Sequence, residues 1–211
     1  MRTSSRTFAI LLFDEVDLLG LAGVMEVASE AGRHWNWRPF RLVPVAAEAG
    51  WVATRSQIRL EATHSLNDAP KAEILLVPGG YGARRASNDD AIVEYVRTAS
   101  ESAHLLVGIG AGVAVLAAAG QLGAEKVAVS AANRAWISSL APGTHFEERP
   151  IVHEGRILTA ASGADGIELG LRLVEAMLGK GLSERVRTAF GVESHRRIEV
   201  TGSSELPVAK L

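Results

Sequence analysis

The chain has 211 residues, a formal net charge of −2, 47% hydrophobic and 22% charged residues, and no cysteine. Those numbers fit one globular domain with a sizeable core. They exclude thiol catalysis, disulfides and thiolate metal sites, and they give no electrostatic attraction for nucleic acid or an anionic membrane. No apolar run reaches the length of a membrane span. The charged start Met1–Arg6 leads into an apolar stretch that stops at Asp14, too short for a signal peptide, so a cytoplasmic protein is expected.

Apolar runs alternate with helical periods, the pattern of a mostly parallel sheet covered by helices on both faces. Thr7–Phe13 reads as a buried first strand, and Leu18–Gly32 as a helix with Leu21, Val24, Met25 and Ala28 on one face. Phe40–Val45 is a second strand, and the alternation over Trp51–Leu60 predicts a small antiparallel excursion. Ile74–Val77 is a core strand. Asn88 or Asp89 caps a helix running through Ser100, with acidic residues at its positive end. Leu105–Ile109 is a strand that turns through Gly-Ile-Gly-Ala-Gly into an Ala-rich helix over Ala111–Ala119. Lys126–Ser130 reads as a further strand, Arg134–Ser139 as a short helix and Arg156–Ala160 as the last core strand. A helix follows over Ala164–Leu178, with Ser162 and Asp165 suited to capping it, and Ser183–Phe190 adds another turn or two. Residues 1–193 are expected to form a single α/β domain, and 194–211 a weakly ordered tail.

The strand, sharp turn and helix around Gly110 have the form of a nucleophile elbow, which aims one side chain into a crevice above the sheet. Here the tip offers only Gly110 and Ala111, and neither carries a nucleophile. The turn lacks G-x-G-x-x-G spacing, because Val113 stands where the third glycine would fall, so no dinucleotide cofactor is expected. His34, His64, His104, His145, His153 and His195 show no spacing of three or four, so no metal is expected.

Four segments in order resemble the ThiJ/PfpI superfamily, the class I glutamine amidotransferase-like fold, and within it the isocyanide hydratase branch. They are Asp14–Val27, Ile74–Gly82 with its Pro78-Gly79-Gly80-Tyr81-Gly82, the elbow Leu105–Leu122 ending Ala118-Ala119-Gly120-Gln121-Leu122, and Ile157–Glu168. The likeness spans about Phe8–Gly179. It implies a flavodoxin-like three-layer sandwich and a homodimer, with Trp51 a plausible contact and Trp35, Trp37 and Trp136 at core edges or the seam. Gly110 falls where the enzymes of the family carry cysteine, Gly20 at the position taken for their acid, and Ser130 in the segment where some carry a histidine. Glu26 matches the family's helix glutamate. Nothing after Gly179 is long enough for the paired helix-turn-helix units of AraC-type regulators.

The expectation is therefore a binder, not an enzyme, holding a small polar or anionic metabolite in a crevice lined by Gly79, Gly80, Tyr81, Gly110 and Ala111. Backbone N–H groups there favour a carboxylate, phosphate or polarised carbonyl; the alternative is that the glycines only permit tight turns. Arg84 and Arg85 are candidates to pair with an anion or to solvate a turn. Two other functions stay open. One is a hydratase or hydrolase in which Asp17, Glu15 or Ser130 reaches the crevice or activates water; the other is a structural or regulatory dimer.

Overall fold

The computed structural model describes residues 5–34 and 38–192. Trp35, Trp37, His195 and the expected tail 194–211 lie outside the described residues. Strand β1 (Arg6–Leu11) leads through Asp17 into helix α1 (Leu18–Arg33), and β2 (Phe40–Ala46) pairs parallel to β1. The alternating segment at Trp51 folds as an antiparallel hairpin, β3 (Gly50–Ala53) with β4 (Arg59–Ala62), followed by the short β5 (His64–Ser65) beside β2. Next come β6 (Ile74–Val77), α2 (Ala83–Ala86) and α3 (Asp90–Ser102), whose N-cap Asp89 accepts from the N–H groups of Ala91 and Ile92.

The second half opens with β7 (Leu105–Ile109), a 3-10 turn over Gly110–Gly112 and α4 (Val113–Ala118). Then follow β8 (Lys126–Ala128), α5 (Ala131–Leu140), β9 (His145–Glu147), β10 (Ile151–Glu154) and β11 (Ile157–Ala160). A 3-10 turn over Gly163–Asp165 introduces α6 (Gly166–Leu178), and α7 (Lys180–Ala189) follows. Among the described residues the main sheet has the order β10-β11-β7-β6-β1-β2-β5, parallel throughout except for β10 against β11.

The strands are buried on both faces, and their side chains divide with a period of two. Phe8, Ile10, Leu76, Leu105 and Leu158 pack beneath α1, α6 and α7, against Leu21, Val24, Leu169, Leu173, Leu182 and Val186. Ala9, Leu11, Leu75, Val77 and Leu106 pack on the opposite face against Ile92, Val96, Val113, Leu116 and Ile137. The result is the expected three-layer α/β sandwich. No helix among the described residues is long and apolar enough to cross a membrane.

Three expectations need correction. The strand expected over Lys126–Ser130 ends at Ala128; it pairs parallel with β9 outside the main sheet and packs over β10 and β11, tied by the Ala128 N–H donating to Thr159 Oγ1 at 2.8 Å. Ser162 and Asp165 cap no backbone group of α6 through their side chains; the Ser162 hydroxyl donates to Asp165 Oδ2 at 2.8 Å. The last parallel strand begins at Ile157 because Gly155, at φ +55°, turns the chain out of β10, an edge strand that the sequence reading passed over.

Candidate ligand site at the elbow

Parallel strands deliver their C-terminal ends to one side of the sheet, and loops from β1, β6, β7 and β11 meet there. The elbow after β7 has the expected geometry: Gly110 sits at φ +52°, the left-handed region that a sharp strand-to-helix turn requires. A Cβ on Gly110 would meet nothing nearer than the Ala161 carbonyl oxygen, at 3.6 Å. The direction in which an elbow nucleophile would project is thus open. The helical turns that follow begin with backbone N–H groups that have no partner within the helix.

Gly79 closes on the elbow from β6. A Cβ there would lie 2.8 Å from the Ile109 carbonyl oxygen and 3.5 Å from the Ala111 nitrogen, so the two loops touch through backbone. Gly80, at φ +122°, is pressed against the backbone of Glu15–Asp17. The Asp17 N–H donates to the Gly79 carbonyl at 2.8 Å, and this bond ties the end of β1 to the same loop.

Gly20 has no room for a side chain. A Cβ there would come within 2.8 Å of Gly163 Cα and 3.0 Å of Ile109 Cγ2, because α1 crosses the start of α6 in close backbone contact. The carboxylate the structure brings to this corner is that of Asp17. Its Oδ1 accepts from the Leu19 N–H at 3.2 Å and caps α1, while its Oδ2 faces the turn after β11, only 2.5 Å from where a Cβ on Gly163 would stand. Gly110 and Asp17 therefore both border the Ala161–Gly163 segment. The site assembles backbone donors from two loops, an open elbow tip and one carboxylate.

The remaining candidates fall around this corner. Ser130 precedes α5 and caps none of its amides. Glu15, at φ +63°, turns away to pair with Arg85 at 2.7 Å. Tyr81 is 69% exposed, with the Arg55 guanidinium 5.3 Å over its ring. Arg84 does not pair with an acid; it lies 4.6 Å over the ring of Trp136 in α5. Glu26 is exposed on α1. No group of three or more His, Asp or Glu side chains among the described residues could hold a metal ion.

The sequence offers Asp17, Glu15 and Ser130 as groups able to reach the crevice, and of these the structure turns Asp17 toward the Gly163 side of it. The signal of Asp17 is local, an aspartate directly before a helical period, but only the docking of α1 on the Gly163 turn shows which way the carboxylate faces.

A mostly parallel sheet with an elbow at the C-terminal end of a central strand and glycine loops beside it is the architecture of the ThiJ/PfpI class of α/β proteins. The chain belongs to the DJ-1/PfpI family, whose pattern matches residues 6–176. It is 26% identical over 180 residues to isonitrile hydratase of Pseudomonas putida, covering 84% of this chain and 74% of that protein. The crystal structure of a ThiJ/PfpI family protein from Pseudomonas syringae superposes with a TM-score of 0.82 at 18% identity, over 93% of this chain and 79% of the other. An AraC family transcriptional regulator from Pseudomonas putida superposes with a TM-score of 0.73 at 22% identity, over 89% and 100%.

Proposed function

We propose that this chain binds a small polar molecule at the Gly110 elbow without covalent catalysis. The observation that carries the reading is Gly110 itself: a left-handed elbow residue with open space where a nucleophile would project, in a chain with no cysteine. Backbone N–H groups of the elbow suit an oxygen acceptor, and the Asp17 carboxylate suits an N–H or O–H donor. A ligand presenting both, such as a carboxamide, fits this pair better than a bare anion, which Asp17 would repel. Hydration of an isonitrile gives an N-substituted formamide, so formamides are the amide class that connects this site to the hydratase relative.

The test is a titration of wild type and Gly110→Val with N-cyclohexylformamide, read by calorimetry. Saturable binding to wild type that the valine abolishes supports the reading; equal behaviour of the two proteins overturns it. Gly110→Cys asks whether the pocket still serves an enzyme. Gly20 is left unchanged in this variant because a side chain there would clash with Gly163, and Asp17 is the nearby carboxylate available to the thiol.

A second reading is favoured by the same Asp17 Oδ2: water activated by this carboxylate adds to an isonitrile directly. Wild-type conversion of cyclohexyl isonitrile to its formamide, lost in Asp17→Asn, would replace the first reading with this one. The proposal also includes a homodimer. Leu19 and Trp51, 64% and 67% exposed, and the less exposed Ile58 and Ile167 are the large apolar side chains that a second copy would cover. Sedimentation velocity tests it, and a monomer at micromolar concentration would count against it.

A further inference from the structure

Two arginines flank the elbow without an acidic partner. Arg55, at the tip of the β3–β4 hairpin, has its backbone N–H bonded to the Val16 carbonyl at 3.0 Å and its guanidinium over Tyr81, two residues after Gly79. Arg84 stands on α2, which packs against the Gly110–Gly112 turn, with its guanidinium over Trp136. Among the described residues neither guanidinium makes an ion pair or a hydrogen bond, whereas Arg85 is taken by Glu15 and Arg134 by Glu148. Stacking on an aromatic face holds a guanidinium flat and leaves its edge N–H donors outward, the arrangement that receives a carboxylate or phosphate fork.

From this we infer that the ligand of the elbow is amphoteric in shape: a neutral polar head at Gly110 and Asp17, and an anionic oxygen group at the mouth held by Arg55 and Arg84. The inference rests on the reading of the elbow as a ligand site and adds the chemical class of what enters it. The charges are distributed to match. Asp17 turns its carboxylate to the Gly163 side, where it disfavours an anion, while Arg55 beside Val16 and Arg84 on the helix that contacts the elbow turn are the cations available to attract one. A free small anion without a polar head satisfies only the rim, and a neutral amide satisfies only the corner.

The test uses N-formylated ω-amino acids of two to six carbons and their uncharged methyl amides, titrated calorimetrically into the intact protein at low and at high salt. At the chain length that spans corner and rim, the carboxylate is expected to bind about five- to tenfold tighter than its methyl amide, the range of one charge-assisted contact at a part-exposed site. The advantage shrinks as salt screens it. The double variant Arg55→Gln/Arg84→Gln brings the carboxylate down to the affinity of the amide. The same chains ended in phosphate decide which oxyanion the rim prefers, and an advantage seen with phosphate alone supports the inference equally. Carboxylates and phosphates no tighter than amides at any length, or an advantage that survives in the double variant, would overturn it while leaving the elbow reading intact. Failure of every probe to bind, or binding untouched by Gly110→Val, would bring down the elbow reading and this inference with it.

Discussion

Replacing Gly20 with alanine tests the packing that places Asp17. In an ordinary helix the exchange stabilises by up to about 1 kcal/mol, because alanine loses less backbone freedom on folding. At Gly20 the new methyl would stand 2.8 Å from Gly163 Cα and 3.0 Å from Ile109 Cγ2, and the first of these is backbone that cannot rotate away. Forcing α1 and the Gly163 turn apart falls in the range of overpacked cores, about 1–3 kcal/mol. The balance is a loss of about 1–2 kcal/mol, or about 2–8 °C in Tm for a chain of this size. Gly181 supplies the control: it lies in the first turn of α7 with nothing within 4 Å of its Cβ position, so Gly181→Ala is expected to be neutral or slightly stabilising. Urea unfolding of the three proteins, with the midpoint compared at constant slope, measures both. A Gly20→Ala protein as stable as wild type would refute the close crossing and, with it, the placement of the Asp17 carboxylate.

Three further outcomes are expected. His153 is buried on β10, and burial, helped by the positive charge of Arg172, holds its pKa down to about 4. The unfolded chain binds the proton more readily, so stability is complete above about pH 6.5 and falls as pH drops toward 4, by on the order of 3 kcal/mol. Urea midpoints at pH 7.5 and 4.5 measure the fall, and His153→Leu should flatten it; an equally steep fall in the variant would contradict the assignment. Arg187 of α7 grips Glu168 of α6 through two hydrogen bonds of 2.6 and 2.8 Å, both side chains largely buried, so Arg187→Leu leaves a carboxylate without its partner and should cost about 2–4 kcal/mol. Thermal unfolding checks this, and Glu168→Gln in the same background should recover part of the loss. Gly110→Cys should fold and react with iodoacetamide, because its Cβ direction is open; a thiol inert to the reagent in the folded protein would mean the tip is closed.

What the sequence makes legible follows from the range of the forces involved. The strands β1, β6, β7 and β11 are short runs with nearly every residue buried, and their apolar composition alone marks them. The Gly-rich turn at 108–112 is equally local, since the left-handed φ at Gly110 favours the residue type that stands there. β10 was missed because His153 and Glu154 interrupt its apolar run, and only pairing with β11 makes it a strand. The apolar run Val127-Ala128-Val129 marks β8 as a strand, but only its packing across β10 and β11 shows that it lies outside the main sheet. The resemblance puts the family's acid position at Gly20, where the close helix crossing leaves no room for a side chain. Which of Asp17 and residue 20 faces the crevice depends on how α1 crosses a turn more than 140 residues later in the chain, and no local pattern encodes that crossing.

The most direct test of the central claim follows the backbone amide signals of isotope-labelled wild-type protein by NMR. It is first incubated with cyclohexyl isonitrile and then titrated with N-cyclohexylformamide. The account predicts an isonitrile that persists unchanged, and saturable shifts of the Gly79, Gly80 and Ala111 amides as the formamide is added. Steady conversion of the isonitrile, or formamide that leaves those three amides unmoved, would contradict it.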